Sequence, residues 1–514
     1  MIIFLKCSNY IILLITLFFR LIFSDMDVVI SLLLMLTCIV MYVVRSLRAK
    51  IRMTNYNLPP GPSLFTIIRN YAELYKKPQQ TMAKFAKVYG PIMRFTIGQS
   101  TTIIMSSVEA TKEILQTHDV LFSDRTNPDI TTAYNHNHYS LVFLPVSPLW
   151  QELRKICHGH LFSTKTLDAS QHLRRKKLQE LIDDIRLSSI KGEVVDVGRA
   201  AFMTCINFLS FTFVSKDFVQ SLGNGEYKHI VGTLLKATGT PNLVDYFPVL
   251  RMFDPQRIRR HTANYIDKLF DVLDPMIDER MKMRKDGDYV TNDDMLDILL
   301  DLKDANNQKI NKKQIKHLFL DLLVAGTDTT AYGLERTMTE LMHNPEAMLK
   351  AKKELEETIG KGEVVEESDV ARLPYLQAVI KESLRLHPPA PLLLPRRAKL
   401  DVEVCGYTIP KGAQVLINEW AIGRNPDIWE DAHIFSPERF LGSNIDVKGR
   451  NFKLTPFGSG RRICPGSPLA IRMLHLMLGS MINSFDWKLE NNMDLKDMDL
   501  DQSLRAIPLV INNT

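Results

Sequence analysis

Phe457–Gly466 reads FGSGRRICPG and packs three glycines, two arginines and one cysteine into a single stretch. It lies between a Pro-ended loop, KLTP at Lys453–Pro456, and an apolar helical pattern, LAIRMLHLMLGSMI at Leu469–Ile482. Three roles are open to Cys464: a buried core thiol, a nucleophile, or a metal ligand. A thiolate is a good ligand for a soft metal centre. Its charge needs backbone N–H groups, which glycines allow to come close. Arg462, two residues upstream, suits a cofactor carboxylate. A cysteine hydrolase would need a His or Asn partner, and no convincing one is visible for Cys464. Taken alone, the loop leaves the core thiol open.

Upstream, AGTDTT at Ala325–Thr330 sits in the middle of a helical pattern over Lys312–His343. Glycine and three threonines are poor helix formers so close together. Mid-helix hydroxyls bond backbone carbonyls, and Gly326 permits close approach. Asp328 is an acid that is costly to bury without partners. The apolar flank LFLDLLVAG argues against a solvent-facing helix. In KESLRLHPP, Glu382 and Arg385 stand three residues apart and share a helix face. FSPERF offers Arg439 as a second guanidinium for that carboxylate. WQELR places the Trp150 indole N–H and the Arg154 guanidinium about one helical turn apart, donors suited to carboxylates.

The chain has 514 residues, 45% hydrophobic and 24% charged, which excludes disorder. The net charge of +6 is spread along it, and RRKK at Arg174–Lys177 reads as a solvated helix face, so nucleic acid is not indicated. Cys7, Cys38, Cys157, Cys205, Cys405 and Cys464 form no CxxC and no zinc spacing, and a disulfide scaffold is out of place in so long a chain. They fit a reduced, cytosol-facing body.

Val28–Val44 is an uncharged apolar run followed by Arg45, Arg48, Lys50 and Arg52. It predicts a membrane anchor over 26–48 with the body on the cytosolic side. Ile11–Phe23 is a second apolar run, broken by Arg20, and reads as a first span, an interfacial segment or upstream sequence; Met26 reads as a natural start, which makes residues 1–25 an extension. Residues 49–62 are basic and Pro-rich, with Pro59, Pro60 and Pro62 reading as a rigid spacer. Behind it, 63–514 reads as one large, mostly helical domain with small sheets. Helical patterns cover Thr166–Ser188, Tyr265–Arg284, where Pro275 predicts a kink or a split, Lys312–His343, Pro345–Ile359 and Tyr375–Leu386. Hairpins are predicted over Tyr89–Ser107 and Val402–Trp420.

Taken together these stretches resemble the cytochromes P450. FGSGRRICPG matches the family's cysteine loop, AGTDTT its oxygen-activation stretch, ESLR and PERF its structural Glu-x-x-Arg and arginine partner, and WQELR its propionate-binding helix. They follow in the family's order from about residue 58 to the end. The resemblance implies the P450 fold, a single catalytic domain behind an N-terminal anchor, and haem b with Cys464 as axial ligand. Arg462, Trp150, Arg154 and Arg396 would hold the propionates. Asp328 and Thr329 would manage protons during oxygen activation. Glu382, Arg385 and Arg439 would lock the core below the haem, and Leu392–Leu394 with the 322–326 face would touch substrate. It further implies the endoplasmic-reticulum membrane, and electrons from NADPH through a cytochrome P450 reductase. PNLVDYFPVLRMFDPQRIRR (Pro241–Arg260), VDVGRAAF (Val195–Phe202) and IDVKGRNF (Ile445–Phe452) look like plant enzymes related to geraniol 8-hydroxylase. A monoterpenol or another small apolar terpenoid is therefore the expected substrate.

Three positions depart from that pattern. Arg336 follows Glu335 where relatives usually carry Trp, with Gly333 nearby. Arg69 stands where they usually have Gly. The end, KDMDLDQSLRAIPLV at Lys496–Val510, passes from Asp501 to Leu504 without the Phe-Gly hairpin that lines the pocket in relatives. Its shortening predicts a wider pocket or a weakened sheet, and it keeps open the alternative of an inactive haem-binding remnant.

Overall fold

The structure is a computed structural model, and it describes residues 56–98, 100–218, 225–286, 291–292, 294–302, 310–490 and 504–510. The expected extension 1–25 and anchor 26–48 lie outside the described residues, as does 491–503 of the shortened end. The architecture is mainly α with small β-sheets. The helices that frame the site are labelled here α1 (Pro148–Ile156), α2 (Gln171–Lys191), α3 (Val197–Val214), α4 (Glu226–Gly239), α5 (Ile258–Lys285), α6 (Lys312–His343), α7 (Pro345–Ile359), α8 (Pro374–Leu386) and α9 (Ser467–Ser484).

Helix α6 runs unbroken through the Thr-rich stretch. Asn311 opens it with a capping box: its side chain accepts the Gln314 N–H, and its own N–H donates to the Gln314 side chain, both at 2.9 Å. Asn344 and Pro345 end it and start α7. Helix α3 is apolar almost all round and packs along α6. It is long and apolar enough to cross a membrane, but most of it is buried in the core. Phe213 of α3 stacks on Phe319 of α6 with ring centroids 5.2 Å apart, a pairing that contributes about 0.5–1.5 kcal/mol beyond its buried area. Gly326 lies at this crossing, where a Cβ would come 3.0 Å from the tip of the Leu209 side chain.

The predicted bounds of α6 and α7 match the structure. The pattern over Thr166–Ser188 resolves into a short helix, Thr164–Ala169, and α2, because the Ser170 hydroxyl donates to the Thr166 and Leu167 carbonyls (3.0 and 3.2 Å) and closes the first helix. Pro275 does not split α5. Lys312 and Lys316 of α6 hold Asp274 at 2.7 and 2.8 Å, and Lys312 holds Asp278 at 2.7 Å, so both sides of the proline are tied to α6.

The strands are β1 (Ile92–Ile97), β2 (Ser100–Met105), β3 (Asp124–Arg125), β4 (Val195–Asp196), β5 (Arg396–Arg397), β6 (Val402–Val404), β7 (Tyr407–Ile409), β8 (Gln414–Ile417), β9 (Phe485–Leu489) and β10 (Arg505–Val510). They form sheets ordered β1-β2-β8-β5-β3, β4-β10-β9 and β6-β7. The Tyr89–Ser107 hairpin is β1–β2. Within Val402–Trp420 only β6–β7 form a hairpin, around Cys405 and Gly406 at φ 47 and 79; β8 leaves to pair in parallel with β2. The Pro-rich stretch lies on β1: the Pro60 carbonyl accepts the Arg94 N–H at 2.8 Å, and a Cβ on Gly61 would overlap the Arg94 carbonyl.

The described part of the shortened end keeps its sheet. β10 pairs with β9 from Ala506↔Leu489 to Val510↔Phe485, and with β4 at Arg505 and Ala506. Pro508 falls beyond the β4 pairing, where its missing N–H breaks no ladder on that side. Leu504 is fully buried; its N–H donates to Glu335 Oε1 at 2.7 Å and its carbonyl accepts the Val197 N–H at 3.0 Å. Glu335 thus ties this end to α6. Arg336 is buried, with its guanidinium 5.5 Å from the Tyr332 ring centroid. Gly333 faces Leu474 of α9, 3.4 Å from where a Cβ would stand. Arg69 ends a short helix, Leu64–Arg69, and is exposed there, where a cation suits the helix dipole.

Candidate functional site

The cysteine loop is shaped by its glycines. Gly460 has φ +70, and a Cβ there would come within 2.5 Å of both the Leu115 carbonyl and the Asp119 carboxylate. The Cys464 N–H donates to the Phe457 carbonyl at 2.9 Å and closes the loop. Burial pushes the Cys464 thiol pKa up, while the Gly466 N–H, the Arg154 charge and the Ser467 N–H pull it down. Those N–H groups belong to the N-terminal turn of α9, so a thiolate here would meet a positive helix end. Upstream, Thr455 donates through its N–H and its hydroxyl (2.7 Å) to Glu419, whose pKa burial raises to about 7.

Around the loop lies a group of arginines, Arg396 and Arg462 buried and Arg125 and Arg154 half-buried. Arg462 Nε donates to the Ser123 carbonyl at 2.7 Å, and its two amino groups reach the carbonyls of Leu141 (3.4 Å) and Leu144. Its guanidinium lies 4.4 Å from the Trp150 ring centroid, and the Trp150 indole N–H donates to the same Leu141 carbonyl at 3.1 Å. Arg154 donates to the Ile463 carbonyl, beside Cys464. Arg396 donates to the Ser459 carbonyl at 2.9 Å and lies 3.5 Å from Asp119. Arg125 joins them because β3 pairs with β5, and it donates to the Leu394 carbonyl at 2.7 Å.

The charges of this cluster are not balanced from within. Burial lowers the pKa of Arg125 well below the usual range, and the charges of Arg396, Arg462 and Arg154 lower it further. Burial, with Asp119 opposing it, brings Arg396 down to about 10. Burial and Arg396 bring Arg462 to about 10 as well. Arg125 Nε is enclosed and has no hydrogen-bond partner among the described residues. Clustered guanidinium forks with an unmet donor call for carboxylates. With a cysteine sulfur beside them under backbone N–H groups, the donor set fits a haem: a soft ligand for iron and a cationic cradle for propionates.

Helix α6 supplies a second wall. Asp321–Leu323 are buried, whereas Ala325 is exposed and Val324, Gly326, Asp328 and Thr329 are half-buried in mid-helix. The Thr329 hydroxyl donates to the Ala325 carbonyl at 2.7 Å, leaving its oxygen lone pairs as acceptors. Burial raises the Asp328 pKa, and Lys228 of α4 opposes the shift. Opposite in sequence but equally accessible, Leu394 is 41% exposed and Leu393 has φ +47.

Glu382, Arg385 and Arg439 meet as one buried network. Arg385 Nε and one amino group donate to the two Glu382 oxygens, both at 2.7 Å, and Arg439 Nε donates to Oε1 at 3.0 Å. The remaining Arg385 donors reach the carbonyls of Gly423, Ala432 (2.7 Å) and Ile434 (3.1 Å), so every N–H of that guanidinium is used. The structure therefore brings Cys464, Arg462, Arg154, Trp150 and Arg396 into one cluster, Glu382, Arg385 and Arg439 into a second, and places Asp328 and Thr329 on α6. Arg125 and Glu419 were not singled out from sequence. Burial marks Glu419 and the β3–β5 pairing marks Arg125, and neither is legible in a lone SDR or INEW.

Comparison with known proteins agrees. The family model "Cytochrome P450" matches residues 59–511. The chain is 49% identical over 448 residues to a geraniol 8-hydroxylase of Swertia mussotii, covering 87% of this chain and 90% of that one. It is 46% identical over 464 residues to a geraniol 8-hydroxylase of Catharanthus roseus, covering 88% and 94%. Its fold matches a zebra fish cytochrome P450 solved with progesterone at TM-score 0.71 and 23% identity, over 84% of this chain and 99% of that one.

Proposed function

Because the chain belongs to the cytochrome P450 family and is a monooxygenase of terpenoid type, we propose that it hydroxylates a small apolar terpenoid, a monoterpenol such as geraniol being the first candidate. Haem b is the family's cofactor, with NADPH electrons delivered through a flavoprotein reductase. One carbon–hydrogen bond becomes carbon–hydroxyl, the second oxygen atom leaves as water, and NADPH supplies the two electrons. The observation that carries the proposal is the Cys464 sulfur beside an arginine cluster with an unmet Arg125 donor.

Bound there, a thiolate-ligated haem supplies dioxygen reduction and oxygen insertion. The chain's own residues do the rest. Cys464 donates sulfur, held by the N–H groups of Gly466 and Ser467. Arg462, Arg154, Arg396 and Arg125 would hold the carboxylates, and Trp150 braces Arg462. Asp328, its pKa raised by burial, holds and releases a proton beside Thr329. Val324, Ala325, Leu392 and Leu394 offer apolar contact without a charge, which suits a terpenoid and not an ionic substrate.

The test of substrate is turnover of a monoterpenol panel with reductase and NADPH. A hydroxylated geraniol product is expected; a loaded enzyme that turns over no panel member would contradict the proposal. Thr329→Ala is expected to keep haem, since alanine favours the helix, while NADPH consumption drains into hydrogen peroxide. Peroxide release equal to wild type would remove Thr329 from proton handling.

The site of action we assign to the endoplasmic-reticulum membrane, with 26–48 as a single anchor and the body cytosolic. The body carries exposed Phe65, Ile68 and Tyr71 near its start and exposed Val249, Met252 and Phe253. Exposed apolar groups of this kind suit contact with lipid.

A further inference from the structure

Behind the arginine cluster lies a buried polar chain that the monooxygenase reaction leaves without a role. Asp321 of α6 accepts the Ser140 hydroxyl at 2.9 Å through Oδ1 and the Leu141 N–H at 2.7 Å through Oδ2. His136 Nε2 stands 3.1 Å from Oδ1, and His136 Nδ1 meets His317 Nδ1 at 2.8 Å. His317 lies four residues before Asp321, on the same face of α6.

The far side of the same turn faces the cofactor site. The Ser140 hydroxyl also accepts the N–H groups of Val142 and Phe143, at 3.1 and 3.2 Å. The Leu141 carbonyl accepts from Trp150 and Arg462, and the Leu144 carbonyl accepts from Arg462. Residues 140–144 are therefore a bracket with Asp321 on one side and the propionate donors on the other.

We propose that Asp321, linked through His136 to His317, is a positioning residue for the haem site: it fixes the Ser140–Leu144 turn, and the Leu141 and Leu144 carbonyls in turn aim Trp150 and Arg462. The inference rests on the haem-thiolate reading of Cys464.

The proton count in the pair makes the device testable. A nitrogen–nitrogen contact of 2.8 Å holds one hydrogen. With His136 Nε2–H directed at the Asp321 carboxylate, His136 Nδ1 accepts from His317 Nδ1–H. A second proton on His136 only reverses that bond. Protonation of both rings sets two N–H groups against each other and breaks it. The Asp321 carboxylate favours a proton on His136, while the groups around His317 oppose one there or are neutral. Lys313 and Lys316 flank His317 on α6, with Lys316 paired to Asp274 of α5. Tyr139 stacks on its ring and Phe270 of α5 meets it edge-on. Cys157, close to Asp321, stays a neutral thiol because burial pushes it up to about 12. Burial, His136 and both lysines hold His317 at about 3. Its folded pKa lies below the unfolded value of about 6.5, so the cluster is intact at neutral pH and loses stability as pH falls through the window between them.

The experiment uses the full chain loaded with haem. It measures the Soret band of the reduced carbon monoxide complex against pH, and the rate of haem transfer to excess apomyoglobin. Asp321→Ala should release haem on the order of tenfold faster than wild type, the scale on which second-layer partners act. Asp321→Asn should recover much of the loss, because its oxygen can take the Leu141 N–H while the histidine pair reverses. His317→Gln, which can donate to or accept from His136, should move the acid loss of the red-shifted band to lower pH. Wild-type release from Asp321→Ala would overturn the proposal. So would equal loss in Asp321→Ala and Asp321→Asn with an acid limb unmoved by His317→Gln, since that pattern marks a merely structural group. A wild type without the red-shifted band would instead overturn the haem-thiolate reading itself.

Discussion

Cys464→Ser is expected to abolish monooxygenation and the red-shifted Soret band while leaving the body folded. A serine hydroxyl is not deprotonated by the two N–H groups and the Arg154 charge that favour a thiolate here. The change is nearly isosteric, and the loop is held by contacts that do not involve sulfur: the Cys464 N–H to the Phe457 carbonyl, the Thr455 clamp on Glu419 and the tight seat of Gly460. The arginine cluster also survives, so haem can still bind through its propionates, without thiolate ligation. The measurement is the reduced carbon monoxide difference spectrum together with turnover. Retained monooxygenation in Cys464→Ser would remove the cysteine from the chemistry.

The second large effect falls far from the reacting atoms. Glu382→Ala leaves Arg385 buried with no carboxylate and strips Arg439 and the Ser436 N–H of their shared acceptor. Breaking a buried pair from one side costs about 3–5 kcal/mol, a large part of the roughly 5–15 kcal/mol that holds a typical fold. Arg385 also gathers the Gly423, Ala432 and Ile434 carbonyls, so a displaced guanidinium loosens the loop between β8 and Arg439. The expected result is a collapse in the yield of haem-loaded protein and a lowered melting temperature, with little effect on the turnover per haem of whatever remains loaded. Glu382→Gln, which keeps one oxygen acceptor, should be milder. A normal yield and melting point for Glu382→Ala would show that the network is dispensable.

Motifs whose parts are close in sequence were legible before the fold was. FGSGRRICPG carries its own glycine geometry, Glu382 and Arg385 share one turn, and the end of α6 is written in Asn344 and Pro345. The resemblance then joined these stretches into one site, which no single stretch implied. What stayed hidden depends on distant pairings. Arg125 enters the cluster only because β3 meets β5, and β8 leaves an apparent hairpin to lie on β2. The Asp321–His136–His317 chain joins segments 181 residues apart, and nothing in YNHNHYS marks one histidine as buried. Pro275 looked like a break because local rules do not include the lysines of α6 that hold both of its flanks.

The end of the chain, which the sequence predicts to be shortened, leaves the cysteine loop intact where it is described. Where described, it is a closed sheet stitched to Glu335, and the cysteine loop makes its contacts elsewhere. An inactive haem-binding remnant and an active enzyme share the thiolate spectrum and differ in turnover with reductase and NADPH, whereas a chain without the thiolate site lacks the spectrum itself. The reduced carbon monoxide difference spectrum of the haem-loaded wild-type chain is predicted to show the red-shifted Soret band of thiolate ligation, lost in Cys464→Ser. A wild-type spectrum without that band would contradict the assignment of Cys464 as the haem ligand.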